Sequence, residues 1–277
     1  MVNESDHDDA RVAIVLASLA EVVRALAEYR DHVLLVGGWV PRFLMPRAAE
    51  RHCGSLDIDL AVDHVGIDDE GYRRIGELLA HVGFRPETGQ PHRFVRDSMA
   101  KGTSVTVCVD LLAAEYGGSG GKRRHQQVQD VEARKARGCD LAFRHPVEVR
   151  VEMTLPDGAV SDVSLRVANV AAFIVMKAFA LGGRRKSKDA YDIVYCLEQH
   201  PGGVQGVVAA FESLGSHGLV RESIGVLADA FRTVRHEGSV AVAEFRGLAI
   251  GEERDLVIRR AYEVVNELVA RVGHGEP

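Results

Sequence analysis

The chain has 277 residues, 46% of them hydrophobic and 27% charged, with a formal net charge of −6. That is material for one large or two ordinary cores and reads as soluble and globular, and the acidic balance excludes a protein that binds nucleic acid through bulk charge. The four cysteines, Cys53, Cys108, Cys139 and Cys196, lie far apart with no CxxC pair, which argues against a zinc site or a disulfide framework and fits a reducing cytoplasm.

In chain order, residues 9–30 carry apolar side chains at helical spacing: Val12, Leu16, Leu19, Val23 and Leu26. HVLLVGG at 32–38 predicts a short buried strand running into a Gly-Gly turn, with a helix following to about Met45. SLDIDLAVD at 55–63 is a second strand. A helix is expected over 68–81, acidic at its start and with Gly83 past its end. HRFVRD (92–97) and TSVTVCVDLLA (103–113) read as strands. Residues 115–142 form a Gly-rich, basic connection with no clear element. Two alternating runs around Pro156-Asp157-Gly158 predict a hairpin over 147–167. From 170 to 273 helical periodicity dominates, interrupted by Gly182-Gly183, Pro201-Gly202-Gly203 and Gly215. The expected fold class is α+β and bilobal: a mixed α/β lobe with a small sheet over 1–167, then a helical lobe over 168–277. The apolar runs at 12–20 and 170–181 are too short to span a bilayer, and no signal peptide is recognisable, so the expected location is cytoplasmic with no membrane partner.

One stretch stands out chemically. In GSLDIDLAVD (54–63) the side-chain period of a strand puts Leu56, Ile58, Leu60 and Val62 on one face and Asp57, Asp59 and Asp63 on the other. Two carboxylates at adjacent same-face positions repel unless a cation sits between them, and Mg²⁺ suits oxygen donors that it shares with substrate phosphates. A bare D-x-D is more often the wet face of an edge strand. Two neighbours favour the chemical reading. Gly37-Gly38 ends the preceding strand, where backbone N–H groups can approach an anion. Asp110 closes the strand TVCVD and offers a third carboxylate, with Glu152 as a less favoured substitute.

This order of strand, Gly-Gly turn, [S/T]-x-D-h-D strand and later aspartate resembles the nucleotidyltransferase superfamily of the DNA polymerase β type. Here it reads Val36-Gly37-Gly38, Ser55-Leu56-Asp57-Ile58-Asp59 and Asp110. The family pattern usually has Ser after the glycines, whereas this chain has Trp39, as some antibiotic nucleotidyltransferases do. That departure puts a hydroxyl contact to the triphosphate from this position in doubt, with Ser55 as an alternative source.

A second segment, KAFALGGRRKSKDAYDIVYCL (177–197), reads on its own as a snorkelling Lys177 on a buried helix and a solvated basic turn. Gly182-Gly183 should end or bend the first helix, freeing Arg184 to swing, and Ser187 should cap the next. Beside the first constellation the segment resembles the AbiEii and MenT type of nucleotidyltransferase, toxins of bacterial toxin–antitoxin systems, whose late motifs run K-x6-R and [KR]-D-x-x-D. The counterparts are Lys177-x6-Arg184 and Lys188-Asp189-Ala190-Tyr191-Asp192. The resemblance covers about residues 30–200 and implies roles. Asp57, Asp59 and Asp110 would bind metal, Mg²⁺ or in its place Mn²⁺. Gly37, Gly38 and Ser55 would cradle the NTP triphosphate, and Lys177 and Arg184 would bind phosphate. Asp192, ahead of Asp189, would be the late acidic residue required for activity.

For the acceptor, the basic residues Lys122, Arg123, Arg124, Arg134, Lys135 and Arg137, and the cluster Arg184, Arg185, Lys186 and Lys188, suggest a local phosphate-backbone contact. The 3′ end of tRNA fits the toxin resemblance, which also implies a cognate antitoxin protein as a partner. The rivals are an antibiotic nucleotidyltransferase and a catalytically degenerate nucleotide- or RNA-binding protein.

Overall fold

A computed structural model describes residues 3–63, 66–67, 69–100, 102–114, 125–128 and 131–273. The chain divides into two compact units, one of Asp8–Val40 and Gly54–Ala168, the other of Met1–His7, Pro41–Cys53 and Asn169–Pro277.

The first unit is built on a mixed sheet of nine strands among the described residues. Its strands are β1 (Val33–Val36), β2 (Asp57–Val62), β3 (Arg85–Glu87), β4 (Gln90–Ala100), β5 (Thr103–Ala114), β6 (His125–Val128), β7 (Val131–Ala136), β8 (Val147–Thr154) and β9 (Val160–Val167). They run in the order β3-β4-β5-β2-β1-β9-β8, with β7 pairing the far end of β5 and β6 pairing β7. The sheet is thus larger than the small one expected. The β6–β7 hairpin lies in the stretch that showed no element in sequence, because its polar and basic residues hide the strand period.

Helix α1 (Asp9–Ala25) starts at Asp8, whose side chain accepts a hydrogen bond from the Arg11 N–H. It buries Val12, Val15, Leu19 and Val22 and packs its apolar face on the sheet. It is shorter than the periodicity predicted, and a 3₁₀ turn at Ala27–Tyr29 replaces its last residues. Helix α3 (Asp69–His81) falls where expected and buries Ile75 and Leu79; the short α4 (Cys139–Ala142) follows β7. The alternation in β2 holds in space. Ile58, Leu60 and Val62 are buried in the core and the two aspartates are half-buried on the opposite face. The hairpin of β8 and β9 pairs from Val147↔Val167 to Thr154↔Val160 and leaves Glu152 exposed.

The second unit is helical: α2 (Val40–Leu44), which begins one residue ahead of it, then α5 (Val170–Arg184), α6 (Ser187–Gln199), α7 (Gly203–Glu212), α8 (Gly218–Ala230), α9 (Glu237–Phe245) and α10 (Glu252–Gly273). Its core includes Phe173, Ile174, Ile193, Leu197, Phe231, Phe245 and Leu268. Helix α5 is capped by Asn169, whose Oδ1 accepts from the Ala172 N–H at 2.9 Å. It does not break at Gly182-Gly183. A Cβ on Gly182 would stand 3.0 Å from Val226 Cγ1, so the missing side chain lets α5 approach α8. The helix runs on to Arg184 and is capped by Arg185 in the left-handed conformation, φ 52°. The start of α6 shifts by one: Lys186 holds the cap position and Ser187 is the first helical residue. No helix among the described residues is long and apolar enough to cross a membrane.

Candidate active site

The first constellation lies in the sheet unit and is positioned by strand register. β2 and β5 are parallel, and Asp59 stands directly opposite Asp110, with Asp57 opposite Cys108. Opposed residues share a face, so Asp57, Asp59 and Asp110 project to the same side of the sheet. On its other flank β2 is antiparallel to β1, and Val36↔Asp59 is the last pair before the glycines.

The glycines form a 3₁₀ turn over Gly37–Trp39 rather than a loop. Gly37 has φ +69°, and a Cβ built on it would overlap Asp59 Oδ2 and lie 2.7 Å from both Cβ and Cγ of that residue. The carboxylate of Asp59 therefore occupies the space a side chain would need, which is why glycine stands there. A Gly37→Ala substitution should combine backbone strain with this clash. We expect a stability loss of about 2 kcal/mol or more by denaturant unfolding, together with loss of activity.

Trp39 is fully buried, and its indole N–H donates to the backbone carbonyl of Asp57 at 3.1 Å. It ties the turn to the start of β2, which gives the Gly-Gly-Trp sequence a structural reason. Ser55 is also turned inward to the strand, its hydroxyl accepting from the Asp57 N–H at 3.4 Å.

Asp110 is nearly buried and engaged by a residue the sequence analysis missed. Arg93 on β4 lies opposite it in the antiparallel β4–β5 ladder. Its Nε and one terminal nitrogen each donate to a separate Asp110 oxygen at 2.7 Å. A single sequence carries no sign of this pairing, because the register of two strands joined by a turn fixes it. Among the described residues no group of three His, Cys, Asp or Glu side chains is gathered closely enough to hold a metal ion. The donor chemistry still suits a hard dication. The three groups are carboxylates on one face, and one of them already holds a cation, the Arg93 guanidinium. The Cys108 thiol, opposite Asp57, is pushed up to about 12 by burial and by the charge of Asp57.

The second constellation lies in the helical unit and gathers the late motif residues into one ionic network. Lys177 Nζ, 7% exposed as a residue, sits 2.8 Å from Asp189 Oδ1 and 2.7 Å from Asp192 Oδ2. Arg184 forks onto both oxygens of Asp189 at 2.8 Å, and Lys188 reaches Asp192 Oδ1 at 2.7 Å. Burial works against the charge on Lys177, but Asp192 and Asp189 outweigh it and raise its pKa. Burial likewise opposes ionisation of Asp192, and Lys177 and Lys188 overcome it, holding that carboxyl well below the usual range.

His52, also missed in sequence, completes the network, its Nε2 3.0 Å from Asp192 Oδ1. Burial drops the imidazole pKa to about 4 despite the pull of Asp192, so at neutral pH it is an uncharged N–H donor. Its ring is stacked against Tyr191 and edge-on to Tyr195, whose hydroxyl donates to the Glu50 carbonyl at 2.7 Å. Three cations thus face two carboxylates, leaving one surplus positive charge. Arg184 does not swing away as expected; its guanidinium binds Asp189 while its side chain stays 43% exposed.

Of the basic residues proposed for RNA, Arg185 and Lys186 are exposed on the α5–α6 turn, and Arg185 is 3.3 Å from Glu237. Lys122, Arg123 and Arg124 lie outside the described residues.

A sequence profile described as nucleotidyltransferase matches residues 16–197, more than half of the chain and inclusive of both constellations. A comparison with curated proteins gives no match.

Proposed function

The chain belongs to the nucleotidyltransferase family, and from that premise we propose that it transfers NMP from an NTP to the 3′ end of tRNA, as the toxin of a toxin–antitoxin pair. The observation that carries the catalytic part is the register of Asp59 against Asp110, with Gly37 closed over the Asp59 carboxylate. In this reading Asp57, Asp59 and Asp110 hold a divalent cation, Mg²⁺ or Mn²⁺. When bound, the ion offsets phosphate charge and lowers the pKa of the attacking hydroxyl. The acceptor hydroxyl gives its proton to water as its oxygen attacks the α-phosphorus, the bond to the bridging oxygen breaks, and pyrophosphate leaves with the electron pair.

The N–H groups of the Gly37–Trp39 turn contact the triphosphate. Lys177 and Arg184 carry the phosphate-binding charge of the helical unit, and Asp192 orients Lys177 and Lys188 by pairing with both. The exposed Arg185 and Lys186 supply electrostatic contact to the RNA backbone. Gly-Gly-Trp lends no support to an antibiotic acceptor, since the tryptophan is buried and bonded to Asp57.

The experiment is incubation with each labelled NTP, Mg²⁺ and total RNA, beside parallel reactions containing an aminoglycoside or a lincosamide. We expect label on tRNA-sized RNA, prevented when the RNA 3′ end is oxidised with periodate before the reaction. Label on the antibiotic alone would overturn the tRNA assignment.

A further inference from the structure

We propose that Arg93 is the resident counter-cation of the third carboxylate, and that a divalent ion gains Asp110 only as the guanidinium passes from Asp110 to Glu87. This rests on the reading above that the aspartate face binds metal.

Arg93 uses both oxygens of Asp110, at 2.7 Å each, so no oxygen of that carboxylate is without a cation against it. The pair is poorly solvated, with side-chain exposures of 24% and 6%, so the attraction is weakly screened. A dication placed on the same carboxylate would face the guanidinium at close range, and the two like charges would compete for it. That repulsion favours an ion on Asp57 and Asp59 alone, or one joined by Asp110 after Arg93 moves.

A receiving group is at hand. Glu87 Oε2 lies 3.9 Å from Arg93 Nε, already within ion-pair range. It is held there by Gln90, whose Nε2 donates to the same oxygen at 2.8 Å. The β3–β4 ladder shifts register between Pro86 and Glu87, the kind of irregularity that re-aims a side chain. Arg93 therefore stands between two carboxylates, tightly bound to one and loosely to the other, and a short movement of its end exchanges them. The arginine offsets one of the three carboxylates until the substrate-bearing metal arrives, and its departure is part of the cost of binding metal.

The test is Mn²⁺ binding to the full chain without nucleotide, by electron paramagnetic resonance titration or calorimetry. Arg93→Gln should bind Mn²⁺ at least tenfold tighter than wild type, and adding Asp110→Asn should erase that gain. Glu87→Gln, which removes the receiving carboxylate but leaves Arg93, should weaken binding severalfold. The Arg93 Nε–H resonance of the wild type should shift on adding Mg²⁺, a readout that needs no variant to fold. Arg93→Gln binding equal to or weaker than wild type, or an Arg93 resonance unmoved at saturating Mg²⁺, would overturn the exchange. Asp57→Asn separates the two levels of the argument. If it binds Mn²⁺ as well as wild type, the metal reading of this face fails, and the exchange fails with it.

Discussion

Asp59→Asn should lower the rate of nucleotide transfer by about 10²–10³-fold while leaving the protein folded. The substitution keeps the shape that fits against Gly37 but removes one of three charges from the face proposed to bind metal. A group that stabilises charge on a transferring phosphoryl is worth roughly 3–4 kcal/mol of barrier, which sets the expected factor. The control is thermal unfolding, where the midpoint should stay within a few degrees, because Asp59 is half-buried and relief of repulsion from its neighbours offsets the lost charge. A variant with wild-type transfer rates would mean that the β2 carboxylates do not act in the chemistry.

Lys177→Met should have the largest effect on stability. The methionine fills most of the volume of the lysine stem but removes the cation that bridges two carboxylates at 2.8 and 2.7 Å, with exposures of 1% or less. Breaking a buried pair by removing one partner costs about 3–5 kcal/mol. The lower end is expected here, because Arg184 still holds Asp189 and Lys188 and His52 still hold Asp192. For a chain of this length that is a drop of roughly 6–12 °C in midpoint. Pairing Lys177→Met with Asp192→Asn should recover part of the loss, since the second change removes a buried charge that has lost one of its partners. Urea unfolding of the two single variants and the double variant measures this; a single-variant loss under about 1 kcal/mol would mean that Lys177 is not the keystone of the network.

The strands carrying the aspartates could be read from the sequence, because their apolar and charged residues alternate over several positions and one face is buried. The Gly37-Gly38 turn and the helical second half were legible for similar local reasons. What failed was non-local or locally ambiguous. Gly182 looks like a helix breaker in sequence, yet its role is to admit Val226 of another helix. The β6–β7 hairpin has too few apolar residues to show a period. Arg93 and His52 gave no signal because each is defined by its partner, one across a strand ladder and the other 140 residues away in sequence. Motif spacing located Lys177, Arg184, Asp189 and Asp192 but did not reveal that the cations bind the aspartates of the same motif. The isolated reading of Lys177 as a snorkelling residue on a buried helix gives way to a buried ion bridge.

The most direct measurement of the central claim, that the Asp57, Asp59 and Asp110 face binds a metal–nucleotide complex, is calorimetric titration of the intact chain with NTP. It should be run with Mg²⁺, with EDTA, and with an Asp57→Asn/Asp59→Asn variant whose fold is verified by circular dichroism. Saturable heat with at least one NTP in Mg²⁺, reduced at least tenfold in affinity by EDTA and by the double variant, is the predicted result. Equal binding in all three conditions, or none with any NTP, would contradict it.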